Sequence, residues 1–73
     1  MFGLKDLLEG KHYIVERKTT GEQLEIIVLK KVVTLFSKSN TAQIYWINDD
    51  SKCWVNRSNF DRMYEILYEI KES

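Results

Sequence analysis

Few side chains in this sequence could carry covalent or metal chemistry. His12 is the only histidine and Cys53 the only cysteine among 73 residues. A zinc site needs about four Cys or His ligands in paired spacing, which this chain does not hold by itself. A Cys–His dyad also wants a third group to orient the base. Cys53 sits between Lys52 and Trp54 in a strand-like run, where a buried, inert thiol is expected. Asp49 and Asp50 are adjacent acids, but calcium takes about six to eight oxygens, and Asn48-Asp49-Asp50-Ser51 has the composition of a turn. Gly3, Gly10 and Gly21 are scattered, so no phosphate-cradling loop is present. The expectation is a protein without catalytic group, metal or cofactor.

Two constellations suit binding instead. The first is acidic. If the C-terminal segment is helical, Asp61, Glu65, Glu69 and Glu72 stack in one narrow arc, flanked by Tyr64 and Tyr68. Stacked like charges destabilise a helix, and the two last glutamates oppose its macrodipole. A cost without local compensation points to a protein partner with a basic surface. The second constellation is basic and aromatic. Lys30, Lys31, Lys38, Lys52 and Arg57 are interleaved with Tyr45, Trp46 and Trp54, a mixture that single-strand nucleic-acid binders place on a sheet. Against it stands the absence of an RNP-type motif and of a basic net charge. For both sets, the bland account is a solvated polar face over an aromatic core.

The elements that would position these groups follow from periodicity. Leu4, Leu7 and Leu8 share one side of a short helical start that takes in Asp6 to Glu9 and stops at Gly10. Tyr13 to Lys18 reads as a strand, with Gly21 supplying the positive φ of the following turn. Leu24 to Leu29 is apolar on both faces, hence central. Lys30-Lys31 marks a bend or bulge before Val32 to Phe36 resumes as a third strand. Ala42 to Asn48 and Lys52 to Arg57 complete an antiparallel meander. Ser58 reads as the cap of a helix from about Asn59 to Lys71, with Phe60, Met63, Tyr64, Leu67 and Ile70 on the face that covers the sheet. The expected fold is α+β: a short N-terminal helix, four or five bent antiparallel strands and a C-terminal amphipathic helix. In element order alone this resembles a small SH3-like or Sm-like barrel, which the resemblance makes an expectation.

Composition sets the frame. A chain of 73 residues is read as one domain, whose small core must draw on its nine aromatics. Eleven basic and eleven acidic side chains cancel, so no overall field steers the molecule to nucleic acid or an anionic membrane. The span from Gly10 to Arg57 carries a surplus of three positive charges, eight basic against five acidic. A lone cysteine and no secretory signal point to a reducing, cytoplasmic setting, with no membrane span. Residues with AT-rich codons number 28 against 7 with GC-rich codons, as in a low-GC bacterium or its phage. The sequence therefore favours a small non-enzymatic protein-binding module, such as a regulator or inhibitor of a host protein. A nucleic-acid-binding sheet is the alternative, and an exposed sheet edge invites self-association into a homodimer or larger oligomer.

Overall fold

The computed structural model of the protein describes residues 3–33 and 40–71. Five strands form one antiparallel sheet: β1 (His12–Arg17), β2 (Gln23–Val33), β3 (Asn40–Trp46), β4 (Ser51–Asn56) and β5 (Tyr64–Ile70). One helix, α1 (Arg57–Met63), joins β4 to β5. Short 3-10 turns occupy Leu4–Asp6 and Ile47–Asp49. The spatial order of strands is β4-β3-β2-β1-β5. Strands β1 to β4 are a meander. β5 departs from it by returning to the far side of β1.

The two-faced apolar run at Ile26 to Leu29 does lie in the central strand, as its composition predicts. Burial then sorts its residues by strand parity. Leu24, Ile26 and Val28 point inward beside Tyr13 and Val15 of β1 and Ala42 and Ile44 of β3. Leu4, Leu7, Phe60 and Ile66 complete the core, which contains no buried polar residue among those described. The predicted irregularity at the lysine pair is also present. The β2–β3 register shifts between Val28 and Lys30, so one residue, Leu29, is extra. Past it the strand continues unbroken to Val33, so Val32 and Val33, expected to open a separate third strand running to Phe36, are the end of β2; residues 34–39 lie outside the described residues.

The C-terminal segment overturns its helical reading. α1 stops at Met63, seven residues after it starts, and Tyr64–Ile70 is a strand. The spacing of Phe60, Tyr64, Leu67 and Ile70 fits a helix, yet Tyr64-Glu65-Ile66-Leu67-Tyr68-Glu69-Ile70 is also rich in β-formers. Tertiary context decides between them. A helix there would leave β1, with its core residues Tyr13 and Val15, as a bare edge. As a strand, the segment pairs His12 to Arg17 along their whole length and sets Ile66 opposite Val15 in the core. The helix cap also differs: Asn56, not Ser58, accepts from the Asn59 amide at 2.9 Å.

At the other end, the expected short helix is a single 3-10 turn, Leu4–Asp6. Leu4 and Leu7 are fully buried, while Leu8 faces solvent. Gly10 and Gly21 both take positive φ, at 79° and 75°, where the turns around them require it. Among the described residues no helix is long and apolar enough to cross a membrane.

Candidate functional site

The residues singled out by sequence separate into three groups, and strand parity does the sorting. One group is absorbed by a junction where the N-terminal turn, β2 and α1 meet. Lys31 lies on the core side of β2, opposite Ala42. Its Nζ donates to the carbonyls of Lys5 and, at 2.9 Å, Leu7, while its own amide donates to Glu9 Oε1 at 2.7 Å. Asp61 faces the same junction from α1. Its Oδ1 accepts from the Leu4 amide at 2.8 Å, and Oδ2 lies 3.7 Å from the Arg57 guanidinium. Lys18 donates to the Asp61 carbonyl at 2.8 Å. These charged groups pin an otherwise short N-terminal turn over the core.

A second group lies along β5 and its surroundings. The acidic arc does not exist, because the helix that would have aligned it ends at Met63. Asp61 is engaged at the junction. The β1–β5 register shifts between Ile14 and Val15. Glu65 consequently falls opposite Glu16, while Glu69 falls opposite the inward-pointing Tyr13. Glu72 lies outside the described residues. Tyr64 packs within an aromatic cluster: its ring is 5.0 Å from Trp46 and 5.3 Å from Phe60, with the Arg17 guanidinium 5.9 Å above it. Glu65 is exposed, and so is Tyr68, at 57%. Tyr68 borders a small apolar hollow of about 240 Å³ shared with Leu8, Tyr13, Ile66 and Glu69.

The third group is an outward face built by β2, β3 and β4. Three cross-strand rows follow one another there: Ile27, Tyr45 and Lys52; Lys30, Gln43 and Trp54; Val32, Thr41 and Asn56. Strand spacing of about 4.8 Å and about 6.8 Å between alternate residues make this a patch roughly 10 by 14 Å between backbone positions. Trp54 is 54% exposed, and Leu29 and Val32 are also exposed large apolar residues. Ile27 and Tyr45 are half-buried. Lys30 and Lys52 are exposed, and neither forms an ion pair with a described residue.

Sequence reasoning had grouped Trp46 with Trp54 and Lys31 with Lys30. The structure divides both pairs. Trp46 belongs to the inner face, half-buried against Tyr64, and its Nε1–H donates to Cys53 Sγ at 3.1 Å. Cys53 is exposed, contrary to the buried thiol expected, because β4 is the sheet's outer strand and carries little cover. Arg57 is committed to Asp61. Lys38 lies outside the described residues. Conversely, Gln43, Val32 and Leu29 were not anticipated as part of the patch. Their signal was available in the alternation of Gln43 and Tyr45 with buried Ala42 and Ile44, once β3 is paired to β4.

Asp50 closes one end of the face. It takes a left-handed conformation, φ 48°, in the β3–β4 turn that the Asn48-to-Ser51 composition predicts. The Tyr45 hydroxyl donates to its carboxylate. That hydrogen bond, with smaller contributions from desolvation and from the carboxylate's charge, raises the phenol's pKa above its ordinary value of 10.0. Among the described residues, no group of three or more His, Cys, Asp or Glu side chains is placed to hold a metal ion. No family model, curated protein or solved structure matches this chain.

Proposed function

We propose that this chain is a small, non-enzymatic protein-binding module, and that its docking surface is the outward face of β2, β3 and β4. One observation carries the reading: exposed Trp54, Val32 and Leu29 adjoin half-buried Tyr45 and Ile27 on a single face, and Lys30 and Lys52 beside them pair with no acid among the described residues. Contiguous apolar surface with a polar border marks interfaces, and Trp and Tyr are the side chains that most often dominate their energetics. The partner is then a protein with an apolar surface and acidic groups at its border. A basic partner for the helical arc is no longer required. A regulator or inhibitor of a host protein in the cytoplasm of a low-GC bacterium fits this size and surface.

The same strand order, with β5 folded back onto β1 and α1 bridging β4 and β5, supports reading the sheet as a small SH3-like or Sm-like barrel left open between its two outer strands.

Single-stranded nucleic acid is the second reading. An exposed indole in line with Lys30 and near Lys52 is what favours it, since a base stacked on Trp54 would bring its phosphates toward ammonium groups. One experiment separates the two. Affinity capture from lysate is run with and without nuclease, using wild type and Trp54→Ala. Capture of the same protein in both arms, lost in the variant, supports protein binding. Capture that disappears with nuclease transfers the face to nucleic acid. Unaltered capture by Trp54→Ala removes this face as the site under either reading.

A further inference from the structure

Glu69 is aimed by an irregularity in β5. Ile66 faces Val15 and Tyr68 faces Ile14, so Leu67 between them has no partner on β1. One extra residue reverses the parity of everything after it. Tyr68 therefore shares a side with Ile14, while Glu69 shares the core side with buried Tyr13. The glutamate is half-buried there and forms no ion pair with a described residue. A carboxylate turned toward apolar surface loses hydration, and nothing beside it in the chain offsets that loss.

Two hollows meet at this carboxylate. The apolar one, of about 240 Å³, lies between Leu8, Tyr13, Ile66 and Tyr68, with Asp6 at its margin. A polar one, of about 340 Å³, is bounded by Gly10, Lys11, His12 and Ile70. Glu69 and Lys71 line both. The remaining charged groups divide cleanly. Asp6 accepts from the Gly3 amide at 2.9 Å, and His12 lies 3.9 Å from Glu25. Lys11 and Lys71 are exposed and, like Glu69, enter no ion pair with a described residue. The polar hollow is at the lower end of the range in which small ligands bind, about 300–1,000 Å³, and the apolar one adds room for a side chain.

We infer that the seam between these hollows binds a small zwitterion with an apolar arm: a free α-amino acid with a large apolar side chain. Its ammonium group pairs with Glu69, its carboxylate with Lys11 and Lys71, and its side chain fills the hollow between Leu8, Tyr13 and Tyr68. An apolar amine without a carboxylate would meet two lysines it cannot answer. An apolar acid without an ammonium group would meet Glu69. Only a ligand that carries both charges complements all three side chains. The site is built from β1, β5 and the N-terminal segment, and it shares no residue with the proposed docking face of β2, β3 and β4.

The test is a titration of the isotope-labelled full chain with L-phenylalanine, to about 20 mM, followed by amide chemical shifts. Saturable shifts are expected at residues 8–13 and 66–71, and none in β3 or β4. Two analogues then remove one charge each. Phenylpropionate lacks the ammonium group and L-phenylalaninamide lacks the carboxylate, and each should bind wild type at least about tenfold more weakly. Glu69→Gln should weaken L-phenylalanine as much as loss of the ammonium group does. Lys11→Gln combined with Lys71→Gln should weaken it as much as loss of the carboxylate does. Circular dichroism checks the variants, and the analogues test the same charges on unaltered protein if a variant does not fold. No saturable shift with L-phenylalanine, shifts centred elsewhere, phenylpropionate bound as tightly, or folded Glu69→Gln binding like wild type would each overturn the inference. Equal binding of L-phenylalaninamide would do so as well, transferring the seam to the first residue of a peptide.

Discussion

Lys30 and Lys31 are consecutive in the chain and end in opposite circumstances. Lys31 turns inward past the bulge and satisfies two carbonyls of the N-terminal segment. Lys30 turns outward into the row with Gln43 and Trp54 and has no ion-pair partner among the described residues. The same contrast holds for the regions around them. At the junction of the N-terminal turn, β2 and α1, charged groups meet backbone groups that would otherwise lie unpaired beside a core. On the outward face of β2 to β4, Trp54, Lys30 and Lys52 stand open to solvent. The first arrangement stabilises the fold; the second leaves surface for something else. Substitutions in the two regions should therefore read out differently.

The largest effect is expected at the covered side. Phe60→Ala empties a fully buried site and should destabilise the protein by about 3–5 kcal/mol. Against a total stability of roughly 4–11 kcal/mol for a domain of this length, a large part of the population should unfold in mild urea. A loss under about 1 kcal/mol would mean that Phe60 does not close the core. Lys31→Ala should come next, at about 1–3 kcal/mol, since it strands two carbonyls and loosens Leu4 and Leu7. Its diagnostic is amide exchange: protection at residues 4–11 should fall before that of β1 to β3.

On the open side the pattern should invert. Trp54→Ala should alter urea stability by less than about 0.5 kcal/mol while weakening partner capture by about 2 kcal/mol or more, roughly thirtyfold. If stability falls as far as for Lys31→Ala, the contrast between the regions is lost and Trp54 is structural. The smallest effect concerns Tyr45. Its raised pKa means that the folded state holds the phenolic proton more tightly than the unfolded chain does. The associated stabilisation is present in full below the ordinary value of 10.0 and is lost as pH rises through the folded value. Asp50→Asn should lower the Tyr45 pKa in a spectroscopic titration and flatten this alkaline slope, with little effect at neutral pH. An unmoved titration would show that Asp50 does not hold the hydroxyl.

Much of the sheet was legible because its causes are local. Alternation, the β-formers of β1 and the two-faced run of β2 located the strands, and Gly10, Gly21 and Asn48-to-Ser51 located turns. The lysine pair gave away the bulge by interrupting an apolar run. What escaped detection depends on pairing. The residues from Phe60 to Ile70 suit both a helix and a strand, and only the open flank of β1 selects the strand. With that helix went the acidic arc, since Asp61, Glu65 and Glu69 align only at a period of 3.6. Trp46 and Trp54 look alike in sequence; which one is covered follows from β3–β4 register, a property of two segments together. Lys31 could not be distinguished from Lys30 until the turn it holds was placed.

The return of β5 to β1 also has a consequence for synthesis. Of the five strands, β1 leaves a ribosome first and its neighbour β5 last, a pairing of high sequence separation. Until β5 emerges, β1 has one hydrogen-bonding flank uncovered, and Val15 lacks Ile66 across from it. Closure waits on a long loop being drawn together, at an entropic cost that grows only with the logarithm of its length. Nascent chains stalled before Tyr64 should therefore be open to proteases and to chaperones that bind extended apolar segments, and extension through Ile70 should end that exposure in a single step.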